Sequence, residues 1–146
     1  MRIKFVRTHP DAVLPTRANP NDIGLDLVAI KEHKVLNNGV ILFDTGIAIS
    51  PPNGYYVEIL PRSSMSKSGW ILANSIGTID PTYTGNLLIA LARVNLDAPV
   101  PKLPFCLCQM VLRKAVYAEM EEVKELNDTV RGDGCFGSTG SRTKHK

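Results

Sequence analysis

The 146 residues of this chain are the usual size of one domain, and 44% hydrophobic with 21% charged residues is an ordinary globular composition. No apolar run approaches the roughly 20 residues of a membrane-spanning helix, and we expect no secretory signal, because the first ten residues lack an apolar core. The net charge of +3 comes from a terminal basic tail containing Arg142, Lys144 and Lys146, so the neutral remainder argues against polynucleotide binding.

Apolar and polar residues alternate along most of the chain, which is the pattern of β-strands with one buried face. The predicted strands are, in chain order, RIKFV (2–6), GVILFDTGIAI (39–49), GYYVEILP (54–61), GNLLIALARV (85–94) and CLCQMVLRKAVYAEM (106–120). Turn-forming segments separate them, namely NPND (19–22), NNG (37–39), PPNG (51–54), DPTYTG (80–85) and APVPKLP (98–104). Many short strands with such turns predict an all-β, jelly-roll-like single domain.

Residues 115–126 are the one segment with helical spacing, at Val116, Met120 and Val123. The segment ends in NDT without the glycine that commonly stops a helix, so we favour a strand followed by an irregular linker.

The three cysteines are an odd number, and the spacing of Cys106 and Cys108 is not that of a zinc site. We expect free thiols in a reducing cytoplasm, with Cys106 and Cys108 as small apolar groups on one strand face.

Four polar, glycine-containing segments interrupt the predicted strands: IGLDL (23–27), PRSSMSKSG (61–69), NSIGTIDPTYTG (74–85) and RGDGCFGSTG (131–140). Taken singly each has an ordinary structural explanation. Asp80 before Pro81 is typical of a turn, Arg62 could end an exposed strand, and Asp26 could be an outward-facing strand residue. Taken together, arginines, serines and glycine N–H groups are the donors that polyphosphates require.

Two carboxylates and one aromatic ring add to this polyphosphate hypothesis. Since carboxylates repel phosphate, Asp26 and Asp80 imply either a Mg²⁺ ion between acid and phosphate or a base that activates water. Phe136, in a glycine-rich segment, is suited to stacking on a planar nucleobase.

In this order the segments resemble the five motifs of the trimeric deoxyuridine triphosphate nucleotidohydrolases, the dUTPases, with CLCQMVL (106–112) as the fourth. The similarity extends from about residue 22 to residue 140. It implies a β-clip variant of the jelly-roll barrel at residues 1–130, a flexible C-terminal arm and basic tail at 131–146, a homotrimer, and Mg²⁺-dependent hydrolysis of dUTP to dUMP and pyrophosphate. It also implies a cytoplasmic enzyme, or one in the cytoplasm or nucleus of a host cell if the protein is viral.

The resemblance also implies roles for individual residues. Asp80 would be the general base for water attack on the α-phosphorus, and Tyr83 would pack under the deoxyribose and exclude a 2′-hydroxyl. A hairpin from Gly77 to Leu88 would bind uracil through Asn74, Gly77, Thr78, Ile79 and Leu88. Arg62, Ser63, Ser64 and Gln109 would hold the phosphates, and Asp26 would hold Mg²⁺ through its water shell. In the arm, Phe136 would cover the uracil while Arg131, Gly137 and Ser138 close on the phosphates.

Three positions depart from the family's usual residues. Ser64 replaces a frequent glycine or alanine, Cys135 replaces a glycine, and Thr84 stands where arginine is common. These departures leave affinity and subunit contacts open.

Three other functions agree less well with the sequence. A deoxycytidine triphosphate deaminase needs a glutamate about ten residues after the turn aspartate, where this chain has Ala90. A non-catalytic nucleotide sensor would gain nothing from Asp80 and the arm. A Ser-His-Asp hydrolase is excluded by the missing G-x-S-x-G elbow, and we expect His9, His33 and His145 to be surface residues.

Overall fold

The computed structural model describes residues 1–140, in two compact units: Met1–Val116, and a second unit that begins at Tyr117. The predicted basic tail and His145 lie outside the described residues. The first unit contains nine β-strands, β1 (Lys4–Arg7), β2 (Leu25–Ala29), β3 (Lys31–Val35), β4 (Ile41–Ser50), β5 (Tyr55–Pro61), β6 (Trp70–Leu72), β7 (Gly77–Ile79), β8 (Asn86–Arg93) and β9 (Phe105–Lys114). A 3₁₀ turn, Ser63–Lys67, follows β5.

The strands form two antiparallel sheets. In the first, β1, β4, β8 and β6 are neighbours in that order, and β3 also pairs with β4. In the second, the order is β2, β9, β5 and β7. The all-β, jelly-roll-like architecture is therefore confirmed.

Alternation along the strands explains the core, because every second residue points into it. Leu87, Ile89 and Leu91 of β8 are buried, as are Val57 and Ile59 of β5. All of them belong to one buried cluster that draws on both sheets. Its aromatic members include Trp70, whose indole N–H donates to the Pro99 carbonyl at 2.9 Å. One continuous core thus fixes the two sheets relative to each other.

Two details of the predicted strands are wrong. The last strand ends at Lys114 and not at residue 120. The Ala115 N–H still donates to the Gly54 carbonyl at 2.8 Å, but the pairing with β5 ends at Tyr55↔Lys114. The segment from Gly77 to Leu88 is not a paired hairpin, since β7 pairs with β5 in one sheet and β8 with β4 and β6 in the other. It is a connection between sheets.

The second unit has no helix or strand in its described part, residues 117–140. The helix considered for residues 115–126 is therefore absent there, and its apolar side chains are exposed, as Tyr117, Met120 and Leu126 show. No helix in the described chain is long and apolar enough to cross a membrane.

Candidate functional site

Three neighbouring strands bring four of the predicted phosphate and metal residues together. Asp26 on β2 lies opposite Gln109 on β9, and Gln109 lies opposite Leu60 on β5. Arg62 and Ser63 directly follow the end of β5. Because neighbouring strands are only about 5 Å apart, the register places these side chains around one point.

The contacts in this group are polar and specific. The Nε atom of Arg62 is 3.1 Å from Oδ1 of Asp26, and both side chains are about one-third exposed. The Nη1 atom of Arg62 donates to the carbonyl of Cys106 at 2.9 Å. The amide of Gln109 donates to the carbonyl of Pro61 at 3.0 Å. These contacts hold the arginine and the glutamine at the edge of a shared cavity.

The cavity, which we call the polar pocket, has a volume of about 260 Å³. It is lined by Ala18, Asp22, Ile23, Gly24, Asp26, Arg62, Ser63 and Gln109. Ser64, also predicted for this site, is exposed in the 3₁₀ turn and does not line the pocket. A charged guanidinium with hydroxyl and amide donors in one open pocket is suited to binding an anion.

A divalent cation fits this pocket only in part. No group of three or more His, Cys, Asp or Glu side chains suited to a metal occurs within residues 1–140. Asp26 supplies one carboxylate to the pocket, and Asp22 a second. Mg²⁺ keeps several waters and is commonly bound by one or two carboxylates plus substrate phosphates. The residues present therefore fit Mg²⁺ that is held jointly with a polyphosphate.

A second group of predicted residues lies around the turn after β7. Asp80 is exposed, and its carbonyl accepts the backbone N–H of Tyr83 at 3.0 Å. The Tyr83 hydroxyl donates to the carbonyl of Asn86 at 2.7 Å, at the start of β8. This turn presents a carboxylate and a phenol ring together to solvent.

Gly77 is buried where β7 pairs with β5, beside Asn74. A Cβ atom there would lie 3.1 Å from Cβ of Ile59 and 3.5 Å from Nδ2 of Asn74. Thr78 is exposed, while Ile79 and Leu88 are partly buried. Asn74, Gly77, Thr78 and Ile79 thus form one local group, in which the close approach of Ile59 favours glycine at position 77. Leu88 lies on β8 in the other sheet.

The two groups are far apart within one chain. Ile79 pairs with Val57, so the antiparallel register places Asp80 beside Tyr56. Tyr56 is six residues before Arg62 along β5 and its continuation. At about 3.3 Å per residue this is a separation of about 20 Å. One chain alone cannot bring the Asp80 carboxylate to the polar pocket.

The arm residues belong to the second unit. Phe136 is fully exposed and has a positive φ of 34°. Arg131 donates from Nε to the carbonyl of Gly134 at 2.7 Å, and the N–H of Ser138 donates to the carbonyl of Cys135 at 3.1 Å. Gly137 has a φ of 94°, a conformation that favours glycine. The segment is a series of tight turns with its aromatic ring in solvent.

The three cysteines are free, as predicted. Burial raises the pKa of the Cys108 thiol to about 12. Burial also raises the pKa of Cys106, although Arg62 opposes this. Both strand thiols are therefore protonated at neutral pH, and neither is a nucleophile.

A larger cavity of about 490 Å³ lies near the N-terminus, with a mainly apolar lining that includes Phe5, Leu14, Ile47 and Met110. It contains none of the predicted site residues. Because its lining offers few polar groups, the smaller polar pocket is the better candidate for a phosphate-bearing ligand.

Sequence reasoning missed some residues of these groups. Asp22 and Gly24 line the polar pocket without having been predicted. Asp44 is buried and receives hydrogen bonds from Asn86, next to the Tyr83 turn. The sequence feature that could have identified Asp44 is a carboxylate within the otherwise apolar strand GVILFDTGIAI.

Comparison with known proteins gives a consistent result. The dUTPase family model matches residues 11–140. A deoxyuridine 5′-triphosphate nucleotidohydrolase of Corynebacterium glutamicum is 38% identical over 94% of this chain and 94% of its own length. One from Wolinella succinogenes is 33% identical over 96% of this chain and 95% of its own length.

Among solved structures, the dUTPase of Staphylococcus bacteriophage 80alpha with dUpNHpp has a TM-score of 0.74. It is 21% identical, and the match covers 96% of this chain and 99% of that one. At this identity the likeness establishes the fold.

Proposed function

The chain belongs to the dUTPase family, and we propose that it hydrolyses dUTP to dUMP and pyrophosphate in sites that combine residues of different subunits. The observation that carries the proposal is the arrangement of its polar residues. Donors for phosphate surround one pocket, while the carboxylate that could activate water lies about 20 Å away beside the residues suited to a nucleobase. A second copy of the chain resolves this separation.

The proposed reaction is an in-line displacement at the α-phosphorus. The carboxylate of Asp80 accepts a proton from a water molecule, whose oxygen forms a bond to the α-phosphorus. The bond between that phosphorus and the oxygen bridging to the β-phosphate breaks, and pyrophosphate leaves with the electron pair. Exposure of Asp80 in the single chain supports this role, because the carboxylate is available to water and substrate.

The polar pocket is proposed to bind the triphosphate. Arg62 supplies the positive charge, and Ser63 and Gln109 supply uncharged donors. Ser64, in the 3₁₀ turn outside the pocket, would have to reach the phosphates from beside it. Asp26 would hold Mg²⁺ through coordinated water, with Asp22 nearby in the same pocket. When bound, the ion would neutralise phosphate charge and stabilise the leaving pyrophosphate.

The residues around β7 are proposed to select uracil and deoxyribose. Asn74 and the backbone of Gly77, Thr78, Ile79 and Leu88 would bind the base edge. A base with donors and acceptors reversed leaves buried polar groups unpaired, so cytosine is rejected. Tyr83 would pack against the sugar where a 2′-hydroxyl has no room.

We propose that residues 131–146 act as a closing arm on the barrel domain of residues 1–130. The exposed ring of Phe136 supports stacking on the base, since no residue in the described part of its unit buries it. Arg131, Gly137 and Ser138 would close on the phosphates. Ordering such a segment opposes binding, so the stacking and charge-assisted bonds must offset that cost.

Homotrimer formation is the family's usual assembly and is proposed here as the way the two groups meet. Each site would take the polar pocket from one subunit and the Asp80 turn from another. The three free cysteines support a location in the cytoplasm, or the host cytoplasm or nucleus for a viral protein.

The experiment is a substrate panel of dUTP, dCTP, dTTP and UTP with Mg²⁺, followed for both pyrophosphate and ammonia. We expect pyrophosphate from dUTP and little from the other three. Ammonia from dCTP would replace the proposal with deamination, and an absence of products would favour a nucleotide sensor.

A further inference from the structure

A buried carboxylate lies in the middle of β4 and is not explained by the proposed reaction. Asp44 is only 4% exposed. Nδ2 of Asn86 is 3.0 Å from each of its two carboxylate oxygens, and the backbone N–H of Gly46 donates to Oδ1 at 2.7 Å. Burying a charge is costly unless it is well hydrogen-bonded, so this network must be intact for Asp44 to remain here.

The backbone around Asp44 is shaped to make these bonds. Pairing between β4 and β8 moves from Asp44↔Leu88 to Ala48↔Asn86, so the residues between them bulge out of the ladder. Gly46 has a φ of 67°, and a Cβ atom there would lie 3.0 Å from Cβ of His9. A bulge of this kind re-aims side chains near a functional site.

The network continues from Asp44 to the turn that carries the proposed base. The Asn86 side-chain oxygen accepts the Thr8 hydroxyl at 2.9 Å, which fixes the orientation of the amide. The Asn86 backbone carbonyl accepts the Tyr83 hydroxyl at 2.7 Å, and the N–H of Tyr83 bonds to the carbonyl of Asp80 at 3.0 Å. Asn86 therefore joins a buried anion to an exposed turn.

We propose that Asp44 and Asn86 are positioning residues. They fix the position of the Tyr83 ring relative to β8 and, through the turn, the position of the Asp80 carboxylate. The inference rests on the proposed function, because it concerns how that nucleotide site distinguishes sugars. Tyr83 is 41% exposed, and its ring lies over Gly85, where an added Cβ atom would be 2.7 Å from Cζ of the ring. The Tyr83 hydroxyl bonds to the backbone of Asn86, and the Asn86 side chain is held by the buried Asp44 carboxylate. The orientation of the ring therefore depends on the bond between Asp44 and Asn86.

The test is a reciprocal exchange. N86D places a second carboxylate against Asp44 in place of a donor, while D44N removes the charge that Asn86 contacts. In the double variant D44N/N86D three of the four bonds can form again: the amide at position 44 accepts from Gly46 and donates to the carboxylate at position 86, while the second contact of Asn86 with Oδ1 of Asp44 is lost. That carboxylate still accepts from Thr8. T45V is the matched control, because it removes two buried bonds of the same bulge without touching Asn86. The Thr45 hydroxyl donates to the carbonyl of Leu87 at 2.8 Å and accepts the N–H of Ile47 at 3.3 Å.

The measurement is kcat/KM for dUTP and for UTP, with UTP followed at high enzyme concentration, together with thermal unfolding. We expect N86D to lower kcat/KM for dUTP by roughly tenfold or more and the dUTP-to-UTP ratio by at least about threefold. D44N/N86D should recover most of the loss in both values, and T45V should lower the unfolding temperature with the ratio unchanged. Loss of folded protein alone lowers the apparent kcat/KM for dUTP and for UTP by the same factor. The dUTP-to-UTP ratio therefore separates an effect on positioning from an effect on stability.

An unchanged ratio in N86D, or a double variant no better than N86D, overturns the inference. Should N86D fail to fold, T8V takes its place, since it removes only the exposed bond to the Asn86 amide. T8V is then expected to lower the ratio about twofold, and an unchanged ratio overturns the inference. Failure of the wild-type protein to hydrolyse dUTP would instead overturn the proposed function.

Discussion

Replacing Gly24 by alanine should damage the polar pocket through one neighbouring side chain. A Cβ atom at this position would overlap Oε1 of Gln109 and lie 2.8 Å from its Cδ. The end of a glutamine side chain can rotate away, so we expect G24A to fold, at the cost of the bond from Gln109 to the Pro61 carbonyl. That is about 1 kcal/mol or less of stability for a solvent-accessible bond.

The functional loss should be larger, because the displaced amide no longer reaches the phosphates. A hydrogen bond to a charged group is worth about 1.5–3 kcal/mol, which corresponds to a fall in kcat/KM for dUTP of roughly 10- to 100-fold. The assay compares G24A, Q109A and G24A/Q109A by steady-state kinetics. If Gly24 acts through Gln109, the double variant is no worse than Q109A. Wild-type kinetics in G24A, or additive losses in the double variant, would refute this reasoning.

Two further predictions concern other parts of the chain. Burial raises the pKa of Cys108 to about 12 from 9.0, so the thiol contributes stability that is complete below pH 9 and lost as the pH rises toward 12. From pH 8 to about pH 10.5 the free energy of unfolding of the wild type should fall by about 2 kcal/mol more than that of C108A. Chemical denaturation at each pH measures both values, and an equal fall in the two proteins would contradict the prediction. F136A should raise KM for dUTP roughly tenfold through lost base stacking while leaving the unfolding temperature unchanged, because the ring is fully exposed; an unaltered KM would show that the ring does not touch substrate.

The strands were predictable because alternation directly encodes which face of a sheet is buried. The eight residues of β8 alternate between buried and partly buried positions over most of their length, as the sequence indicated. Strand pairing was harder to predict. The sequence from Gly77 to Leu88 looks like a hairpin, yet its two strands belong to different sheets, and only long-range pairing with β5 and β4 decides that.

Site residues were predictable where a sequence motif itself contains a charged or polar side chain suited to the reaction. Asp26, Arg62 and Gln109 were predicted from segments far apart in the sequence, and strand register brings them to one pocket. Gly24 was not predicted as a pocket residue, since its importance depends on the side chain opposite it. In the sequence, Asp44 is simply part of an apolar strand pattern, and only its bonds to Asn86 connect it to the turn.

The most direct test of shared active sites is complementation between two variants that are each inactive. D80N lacks the proposed base, and R62A lacks the arginine of the polar pocket. When the two chains are unfolded, mixed in equal amounts and refolded together, a site drawing these residues from two subunits is intact in about one quarter of random combinations. We therefore predict about one quarter of wild-type dUTPase activity in the mixture. A mixture no more active than the average of the two separate variants would contradict the assignment of Asp80 and Arg62 to different subunits.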